Sequence, residues 1–471
     1  MERAAVVLCA GQGTRMKSEI PKVLHHLWGQ PMGAWAIKAA LHSGAEQVIT
    51  VVGHQAERVS EALKKVIPQM TTVLQAEQKG TGHAVQMALP SLENFEGTVL
   101  VICGDTPCLT GMTLEQLCLA REETNAPLSL ATAIVPEPTG YGRIVRDMLG
   151  RLQRIVEQKD ASLDERQIDE INTGVYAFDA AFLREGLSRL TSENSQGEFY
   201  LTDLIAMAAE AISEDASLPT LQIPFEEALG VNSRVQLAEA GQLLRAQILH
   251  YWMEQGVTMI DPATTYIDAT VHMEQDVTLG AHVSLRGRTS IASHTTIDAG
   301  CILTDSQIAR GVHLHAYSIC EDAVVGEDSN VGPFARLRPG AELKSKAKAG
   351  NFVEIKKATL GEGAKANHLA YIGDADIGAG SNIGAGTITC NYDGFGKNKT
   401  TLGENVFIGS NSTLVAPVEV GTGAYVAAGS TVNKRVPEND LAISRAKQEN
   451  KKGYAEKIRA RFKRRKADKS S

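Results

Sequence analysis

Hydrophobic and polar positions divide the chain into two parts with different periods. Up to about residue 230, short aliphatic runs alternate with segments whose apolar residues are spaced as on a helix. The strand-like runs are Ala4–Cys9, Gln47–Val52, Thr98–Cys103 and Leu128–Val135, and the clearest helix-like segments are Gly33–Ser43 and Gln55–Val66. Strands that alternate with helices are typical of an α/β domain with a mostly parallel sheet. An apolar face over residues 233–255 then predicts a connecting helix.

From residue 256 to about 450, aliphatic residues recur at every sixth position. The cleanest run is Leu402, Ile408, Leu414, Val420, Val426 and Val432. Neither a helix nor an isolated strand has this period, whereas a parallel β-helix of hexapeptide repeats does. We expect one aliphatic side chain per repeat to point into a narrow prism, and the glycines that often follow it to allow tight turns at the corners. Residues 387–401 interrupt the period and are expected to form a loop outside the coil.

The charge is distributed unevenly along the chain. The 471 residues include 47 Lys or Arg and 55 Asp or Glu, for a net charge of −8. Residues 451–471 contain ten Lys or Arg and two Asp or Glu, so this segment carries +8 and the remainder −16. A body this acidic is poorly suited to wrap nucleic acid. We interpret the basic segment as a solvated, mobile tail.

Cysteine usage and hydropathy bear on the cellular compartment. The seven cysteines are scattered and never form a C-x-x-C pair, which disfavours disulfide frameworks and zinc knuckles. A reducing cytoplasm fits this pattern. No run approaches the ~18 apolar residues of a membrane span. We therefore expect a cytoplasmic protein without a membrane-spanning segment.

A glycine-containing loop follows the first predicted strand. Ala10, Gly11 and Gly13 come directly after Ala4–Cys9, and their backbone N–H groups can approach an anion closely. The loop is neither a dinucleotide fingerprint nor a Walker A loop, so a structural turn explains it about equally well. Arg15 and Lys22, which follow it, can supply positive charge to phosphates.

Two further loops occupy similar positions. Gln75–His83 follows an aliphatic pair, and Gly104-Asp105 follows Thr98–Cys103. Ligands of parallel α/β sheets bind at the carboxyl ends of the strands, and a carboxylate there suits a Mg²⁺ ion that carries phosphates. Asp105 alone could be a helix cap, but three such loops together favour catalysis.

Basic and polar residues interrupt the repeats of the second part. They include Arg338, Lys356 and Tyr371, with His368 among them. Charged side chains are costly beside an aliphatic prism unless they point outward to an anion. A lone histidine is more often a surface residue, but a histidine in a basic neighbourhood suits a general base acting on a phosphorylated substrate.

Specific motifs resemble a known family over nearly the whole chain except the basic tail. LCAGQGTRM at 8–16, with PKVL at 21–24, resembles the signature of the sugar-nucleotide pyrophosphorylases. In order along the chain, the motifs are similar to those of the bifunctional N-acetylglucosamine-1-phosphate uridylyltransferase / glucosamine-1-phosphate N-acetyltransferase family. The further matching segments are Gln75–His83, Gly104-Asp105, Gly140–Arg143, Glu157, Asn172–Gly174, Gly230–Asn232 and the hexapeptide repeats. Cys9 and Gln12 depart from the usual alanine and lysine of that loop.

The resemblance implies an architecture. It comprises a Rossmann-like nucleotidyltransferase domain at 1–232, a linker helix at 233–255, a left-handed parallel β-helix at 256–450 and the tail at 451–471. It also implies a homotrimer. The expected small-molecule substrates are UTP, N-acetylglucosamine 1-phosphate, glucosamine 1-phosphate and acetyl-CoA, the last as co-substrate. The product would be UDP-N-acetylglucosamine, a precursor of bacterial envelope polysaccharides.

The same resemblance implies roles for matched positions. Residues implied to hold UTP and the sugar nucleotide are Leu8, Ala10, Gly11, Lys22, Gln75, Gly80, Thr81, Cys103, Gly104, Asp105, Gly142, Glu157, Asn172 and Asn232, of which Asp105 and Asn232 would bind Mg²⁺. Residues implied to hold glucosamine 1-phosphate are Arg338, Lys356, Tyr371, Asn382 and Lys397. Residues implied to hold acetyl-CoA are Ala385, Asn391, Tyr392, Ser410, Ala428 and Arg445. His368, Arg15 and Lys22 would be catalytic.

Two other interpretations compete with a bifunctional enzyme. The chain could be a nucleotidyltransferase whose β-helix only assembles or regulates it. It could also be a non-catalytic scaffold that binds nucleotide. The cluster around His368 argues against a passive coil, and metal-dependent release of pyrophosphate would argue against a scaffold. Preference for uridine over other bases rests on the resemblance alone.

Overall fold

A computed structural model describes residues 1–213 and 216–469, so the end of the basic tail, residues 470 and 471, lies outside the described part. The chain divides into two compact units. The first comprises Met1–Tyr251 and Ile267–Ala269, and the second comprises Trp252–Tyr266 and the described residues from Thr270 onward. No helix in the described ranges is both long and apolar enough to cross a bilayer.

The first unit contains a mixed sheet and a small separate hairpin. The strands of the mixed sheet are β1 (Arg3–Cys9), β4 (Gln47–Val52), β5 (Thr71–Leu74), β6 (Thr98–Cys103), β7 (Leu128–Ile134), β8 (Arg143–Arg146), β9 (Leu152–Val156), β10 (Glu170–Asp179) and β11 (Thr220–Gln222). The strands β2 (His26–Leu27) and β3 (Gln30–Pro31) pair only with each other. The main sheet has the order β11-β7-β10-β6-β1-β4-β5. Strand β1 is parallel to β4 and β6, whereas β10 is antiparallel to β6 and β7. The sheet is therefore less uniformly parallel than the strand–helix alternation predicts.

Helices cover both faces of this sheet. They are α1 (Met32–His42), α2 (Ala56–Val66), α3 (Thr81–Ala88), α4 (Gly111–Thr124), α5 (Ala180–Arg189), α6 (Asp203–Ala211) and α7 (Arg234–Glu254). Successive residues of a strand point to opposite faces. Accordingly, Ala5 and Val7 belong to one buried cluster, and Ala4 and Val6 belong to the other. The predicted connecting helix is α7, and its Ala240 and Leu244 pack with Leu27 of the first unit.

The second unit is a parallel coil of short strands in two sheets. One sheet consists of Thr258–Met259, Thr278–Leu279, Thr296–Ile297, His313–Leu314, Asn330–Val331, Lys348–Asn351, Lys365–His368, Asn382–Ile383, Phe407–Ile408, Tyr425–Val426 and Leu441–Ala442. The other includes His272–Met273, Ser284–Arg286, Ser290–Ile291, Ile302–Thr304, Gln307–Ile308, Ile319–Glu321, Val324–Val325, Arg336–Leu337, Ala341–Leu343, Glu354–Leu360, Tyr371–Ile377, Ile388–Cys390, Thr400–Leu402, Thr413–Val415, Val418–Val420 and Thr431–Val432. Ser284 pairs with Ile302, eighteen residues later, which is three hexads per turn. The β-helix of hexapeptide repeats is thus confirmed.

Glycines of the coil serve a purpose different from the predicted one. Gly384 follows the inward-facing Ile383, yet its φ is not in the left-handed region. A β-carbon at Gly384 would lie 2.6 Å from the carbonyl oxygen of Ile408 and from the amide nitrogen of Ser410 in the next turn. Many corners are instead turned by larger residues with positive φ, such as Asn405 and Asn411. Glycine at Gly384 therefore permits close stacking of turns rather than a change of direction.

The basic tail contains a helix. Residues Tyr454–Ala467 form α8, in which no residue is buried. Its basic composition agrees with a solvated segment, although a helix was not expected from the sequence.

Two candidate active sites

A cavity of about 270 Å³ opens at the carboxyl ends of β1 and β6. Its lining includes Leu8, Ala10, Gly11, Lys22, Gln75, Gly80, Thr81, Cys103 and Asp105 from the predicted nucleotide-binding set. Gly80 has a φ of 102°, and a β-carbon there would lie 2.6 Å from the carbonyl oxygen of Phe199. Only glycine fits this position without displacing backbone. The loops that the sequence places after separate strands thus surround one space.

Three groups converge at one edge of this cavity. The Lys22 ammonium contacts the Asp105 carboxylate, and it donates a hydrogen bond of 3.0 Å to Oδ1 of Asn232. The Lys22 and Asp105 side chains are only 12% and 18% exposed. The amide of Val231 donates to the carbonyl of Asp105 at 2.8 Å, which brings the Asn232 loop to the strand end. Oxygens of the two predicted metal ligands therefore face the same positive group.

This donor set fits a hard divalent cation. Mg²⁺ prefers oxygen ligands and is commonly held by one or two protein groups together with substrate phosphates. Asp105 supplies a carboxylate and Asn232 an amide oxygen, and Lys22 shows that both oxygens can reach one cationic centre. When bound, the ion would neutralise charge on the phosphates.

A second cavity of about 110 Å³ shares Leu8, Thr81 and Cys103 with the first. It adds Glu157 and Asn172, both predicted to hold the sugar. Asn172 is positioned by Tyr176, whose hydroxyl accepts from Nδ2 at 2.7 Å. Burial raises the pKa of Glu157 above the ordinary value of a carboxyl. A partly buried carboxylate beside an amide is suited to accept hydrogen bonds from sugar hydroxyls.

Close packing explains the two predicted glycines beside these cavities. A β-carbon on Gly142 would lie 3.0 Å from Cγ2 of Ile155, beside Asn172. A β-carbon on Gly104 would overlap the sulfur of Cys9, while the Gly104 amide donates to the carbonyl of Leu8 at 2.9 Å. Burial also raises the pKa of the Cys9 thiol, so this departure from the family pattern adds a packing group rather than a reactive one.

Arg15 is the one predicted catalytic residue of the first unit that the structure does not bring into the cavity lining. It is exposed, on the short 3₁₀ turn Thr14–Met16. Conversely, sequence reasoning missed Gln78 and Glu198, which line the cavity. Gln78 donates to the carbonyl of Ala10 at 2.5 Å. Gln78 lies within the loop already singled out, whereas Glu198 has no motif that could have revealed it.

Basic groups cluster on the outside of the coil in the second unit. Arg336 and Leu337 pair with Glu354 and Ile355, so the next positions, Arg338 and Lys356, lie side by side on consecutive turns. The positive charges of Lys397 and then Arg338 lower the pKa of Lys356. Mutual repulsion of this kind is relieved by a bound anion. The Arg338 guanidinium donates to Glu354 at 2.8 Å, which orients it.

His368 and Tyr371 lie on either side of one corner of the coil. His368 ends the strand Lys365–His368, and Tyr371 begins Tyr371–Ile377. Nδ1 of His368 lies 2.5 Å from Oδ1 of Asn351 on the preceding turn. Because an amide oxygen only accepts, this contact favours the proton on Nδ1, and in that tautomer of the neutral ring Nε2 carries the lone pair. Asn351, which sequence reasoning did not identify, therefore positions His368 as a proton acceptor.

The predicted acetyl-CoA residues form a column across successive turns. The amide of Asn411 donates to the carbonyl of Ala385 at 2.7 Å, and the amide of Gly429 donates to Ser410 at 2.8 Å. Arg445 donates to the carbonyl of Ala428 at 2.6 Å. Asn382, of the predicted sugar-phosphate set, begins the strand Asn382–Ile383 and pairs with Lys365 on the preceding turn.

The interrupting loop adds the remaining groups. A β-carbon on Gly373 would lie 2.5 Å from the Tyr371 hydroxyl and 2.8 Å from the amide nitrogen of Asn391, so both side chains cover this glycine. Tyr392 and Lys397 pair across the loop. Backbone amides of Gly396 and Phe395 lower the pKa of Asp393 to about 2, which keeps this carboxylate charged as the centre of the loop. The predicted excursion at 387–401 is shorter in the structure, because Ile388–Cys390 and Thr400–Leu402 remain strands of the coil and only residues 391–399 leave it. This loop faces the basic cluster through Lys397.

Comparisons with known proteins agree with both halves. Residues 5–171 match the MobA-like NTP transferase domain, and residues 399–434 match the bacterial transferase hexapeptide (six repeats). The chain is 49% identical to Bifunctional protein GlmU of Trichlorobacter lovleyi, over 97% of this chain and 98% of that protein. Identity to the protein of the same name is 47% in Sorangium cellulosum (98% and 97% covered) and 49% in Acinetobacter baumannii (96% and 98% covered).

A nucleotidyltransferase sheet followed by a hexapeptide coil with its own polar cluster defines a two-domain transferase. At this identity and coverage, the chain belongs to the bifunctional protein GlmU family. It is a bifunctional enzyme with nucleotidyltransferase and acetyltransferase domains, and the prediction of two activities is confirmed. The family also implies a divalent metal ion and acetyl-CoA as a substrate.

Proposed function

We propose that the second unit transfers the acetyl group of acetyl-CoA to the amine of glucosamine 1-phosphate. The first unit then transfers a uridylyl group from UTP to N-acetylglucosamine 1-phosphate and releases pyrophosphate. The observation that carries this proposal is that each unit holds both cationic groups and a group suited to its chemistry. In the first unit, Lys22 contacts Asp105. In the second unit, Lys356 lies near Arg338 and Lys397, and His368 is oriented by Asn351.

For uridylyl transfer, the sugar phosphate attacks the α-phosphorus of UTP and pyrophosphate leaves from the opposite side. The reaction needs no covalent enzyme intermediate, so the protein positions the reactants and neutralises charge. Glu157 and Asn172 hold the sugar, the loops at Gly11 and Gly80 surround the nucleotide, and Lys22 contributes positive charge to the phosphates. Asp105 and Asn232 hold the metal ion, which we propose to be Mg²⁺. Arg15 would have to move toward the phosphates to take part.

For acetyl transfer, the substrate amine must lose a proton as its nitrogen attacks the thioester carbonyl. Nε2 of His368 accepts this proton, because Asn351 holds the proton of Nδ1. Arg338, Lys356 and Lys397 bind the phosphate, with Tyr371 and Asn382 at the sugar. The column of Ala385, Ser410, Ala428 and Arg445, together with Asn391 and Tyr392, binds acetyl-CoA.

We also propose that the enzyme is a cytoplasmic homotrimer. Hexapeptide repeats favour an oligomer. Rings of Tyr317, Phe334 and Phe352 stack along one corner of the coil at centroid distances of 5.4 and 5.3 Å, and each residue is about half exposed. Neighbouring subunits would cover this apolar stripe. Light scattering of the purified protein tests the trimer, and a monomer at micromolar concentration would contradict it.

Two assays on the full chain test the separation of activities. Thiol release from acetyl-CoA with glucosamine 1-phosphate reports acetyl transfer, and pyrophosphate release from UTP with N-acetylglucosamine 1-phosphate reports uridylyl transfer. We expect His368→Ala to abolish the first and spare the second, and Asp105→Asn to do the reverse. Loss of both activities from either substitution in a folded protein would contradict two independent sites. A panel of nucleoside triphosphates tests the choice of base.

A further inference from the structure

Three metal-ligating side chains meet on the outside of the coil, away from the residues assigned to either reaction. The strands Thr296–Ile297 and His313–Leu314 pair in parallel on consecutive turns. Leu314 points into the prism and is fully buried. Because side chains of a strand alternate, its neighbours His313 and His315 both point outward. Asp298 is held beside them, since its amide donates to the carbonyl of Leu314 at 2.8 Å.

The ligand atoms are already close together. Nε2 of His313 lies 2.9 Å from Oδ2 of Asp298, and Nδ1 of His315 lies 3.5 Å from the same oxygen. One ligand atom from each residue lies within 4.8 Å of the other two. Ligands of a tetrahedral zinc ion, at bond lengths of about 2.0–2.1 Å, are roughly 3.3 Å apart. The two measured separations lie on either side of this value.

A simple histidine–carboxylate hydrogen bond accounts for only part of this arrangement. His313 alone satisfies the facing oxygen of Asp298, yet the second imidazole packs against the first with ring centroids 3.9 Å apart. Both imidazoles instead direct a ring nitrogen toward Oδ2 of Asp298. A cation placed between the three groups would interact with all of them.

We propose that Asp298, His313 and His315 bind a zinc-like transition-metal cation that links two consecutive turns of the β-helix. Two imidazoles and one carboxylate are the donor set that suits Zn²⁺ rather than Mg²⁺. The site is therefore chemically distinct from the pair of oxygen donors at Asp105 and Asn232. The three side chains are about one third exposed, which leaves a fourth position for water.

The chain offers a matched control. His294 and Asp276 also face each other on consecutive turns, with Nδ1 4.0 Å from Oδ2. In the described part of the chain, only the cluster of Asp298, His313 and His315 brings three His, Cys, Asp or Glu ligands together. His294→Asn removes a somewhat more exposed histidine from the same coil without touching the proposed site.

The test uses the full-length protein after chelation and dialysis, in excess Mg²⁺. Zn²⁺ is titrated by calorimetry and Co²⁺ by its visible absorption, which is intense for tetrahedral coordination. We expect one site in the wild type and in His294→Asn. In His313→Asn and His315→Asn we expect affinity to fall at least about tenfold, since changes in outer partners of metal ligands already cost this much. We also expect Zn²⁺ to raise the thermal midpoint of the wild type and not of these variants.

Two results would overturn the proposal. One is no Zn²⁺ binding by the wild type under these conditions. The other is equal binding by the wild type and both histidine variants, which would place the ion elsewhere. Circular dichroism without metal checks that the variants are folded. If a histidine variant does not fold, Asp298→Asn tests the same site with a nearly isosteric change.

Discussion

Replacing Lys22 with methionine should separate metal affinity from turnover. The Lys22 ammonium contacts Asp105 and Asn232, the two residues that we propose as metal ligands. An ammonium and a metal ion cannot occupy the same position, so Lys22 competes with the ion before substrate binds. Methionine keeps the aliphatic stem that packs on Gly13 and removes only the charge. We expect Lys22→Met to bind Mg²⁺ more tightly than the wild type and to turn over more slowly.

The structure sets the size of both effects. Hydrogen bonds that involve a charged group contribute about 1.5–3 kcal/mol, and the low exposure of Lys22 and Asp105, 12% and 18%, limits screening by solvent. Removal of the competing ammonium should therefore tighten Mg²⁺ binding roughly tenfold to a hundredfold. Loss of a positive group that neutralises developing phosphate charge should slow uridylyl transfer by about a hundredfold or more.

Calorimetric titration of Mg²⁺ without nucleotide measures the first effect, and pyrophosphate release at saturating Mg²⁺ measures the second. Lys65→Met is the control, because Lys65 pairs with Glu61 on the exposed surface of α2. Acetyl transfer should be unchanged in both variants. If Lys22→Met bound Mg²⁺ no better than the wild type, the ammonium and the ion would not share these oxygens, and the proposed metal site would be wrong.

Three further predictions test separate parts of the structure. Burial raises the pKa of Glu157, so the ionised carboxylate destabilises the folded state. This penalty is complete at a pH above the folded-state pKa, and it is absent at a pH below the unfolded-state pKa. Glu157→Gln should therefore raise the thermal midpoint at pH 7 but not at pH 3, while it weakens sugar binding; a lower midpoint at pH 7 would contradict this reasoning. Gly384→Ala should destabilise the coil in urea unfolding by about 1–3 kcal/mol, because its β-carbon would lie 2.6 Å from backbone of the next turn. Gly396→Ala, with no atom within 4 Å of the added carbon, should change stability little, and equal effects would refute the stacking argument. Arg445→Ala should raise the KM for acetyl-CoA with little change in pyrophosphate release, and an unchanged KM would remove Arg445 from the cofactor column.

Prediction from sequence succeeds best where the pattern involves residues that are close together along the chain. The hexad period places Ile408 and Leu414 inside the prism, and both are fully buried. Glycine loops after β1 and β6 lead to one cavity because parallel neighbouring strands end at the same edge. The physical reason why a residue type is needed at a given position is harder to infer from sequence. Gly384 was expected to turn the chain, but its role depends on the distance to the next turn.

Features that depend on contacts between segments far apart in the chain could not be predicted from local sequence patterns. The antiparallel entry of β10 between β6 and β7 has no local signature, because strand direction is set by the path of the chain. Glu198 reaches the cavity lining from a segment without a motif. The resemblance named Asn232 as a partner of Asp105, but only the folded chain shows that Lys22 holds both.

By itself, the order of residues determined the two architectures, since the periods that distinguish helix, strand and hexapeptide coil come from backbone geometry within a few residues. The family motifs also identified most of the groups that surround each site. Only the tertiary structure decided which groups act on one another: Asn351 on His368, Lys22 on the proposed metal ligands, and Asp298 on a pair of histidines one turn later. These contacts arise from strand register and loop packing, where a shift of a single residue would separate the partners.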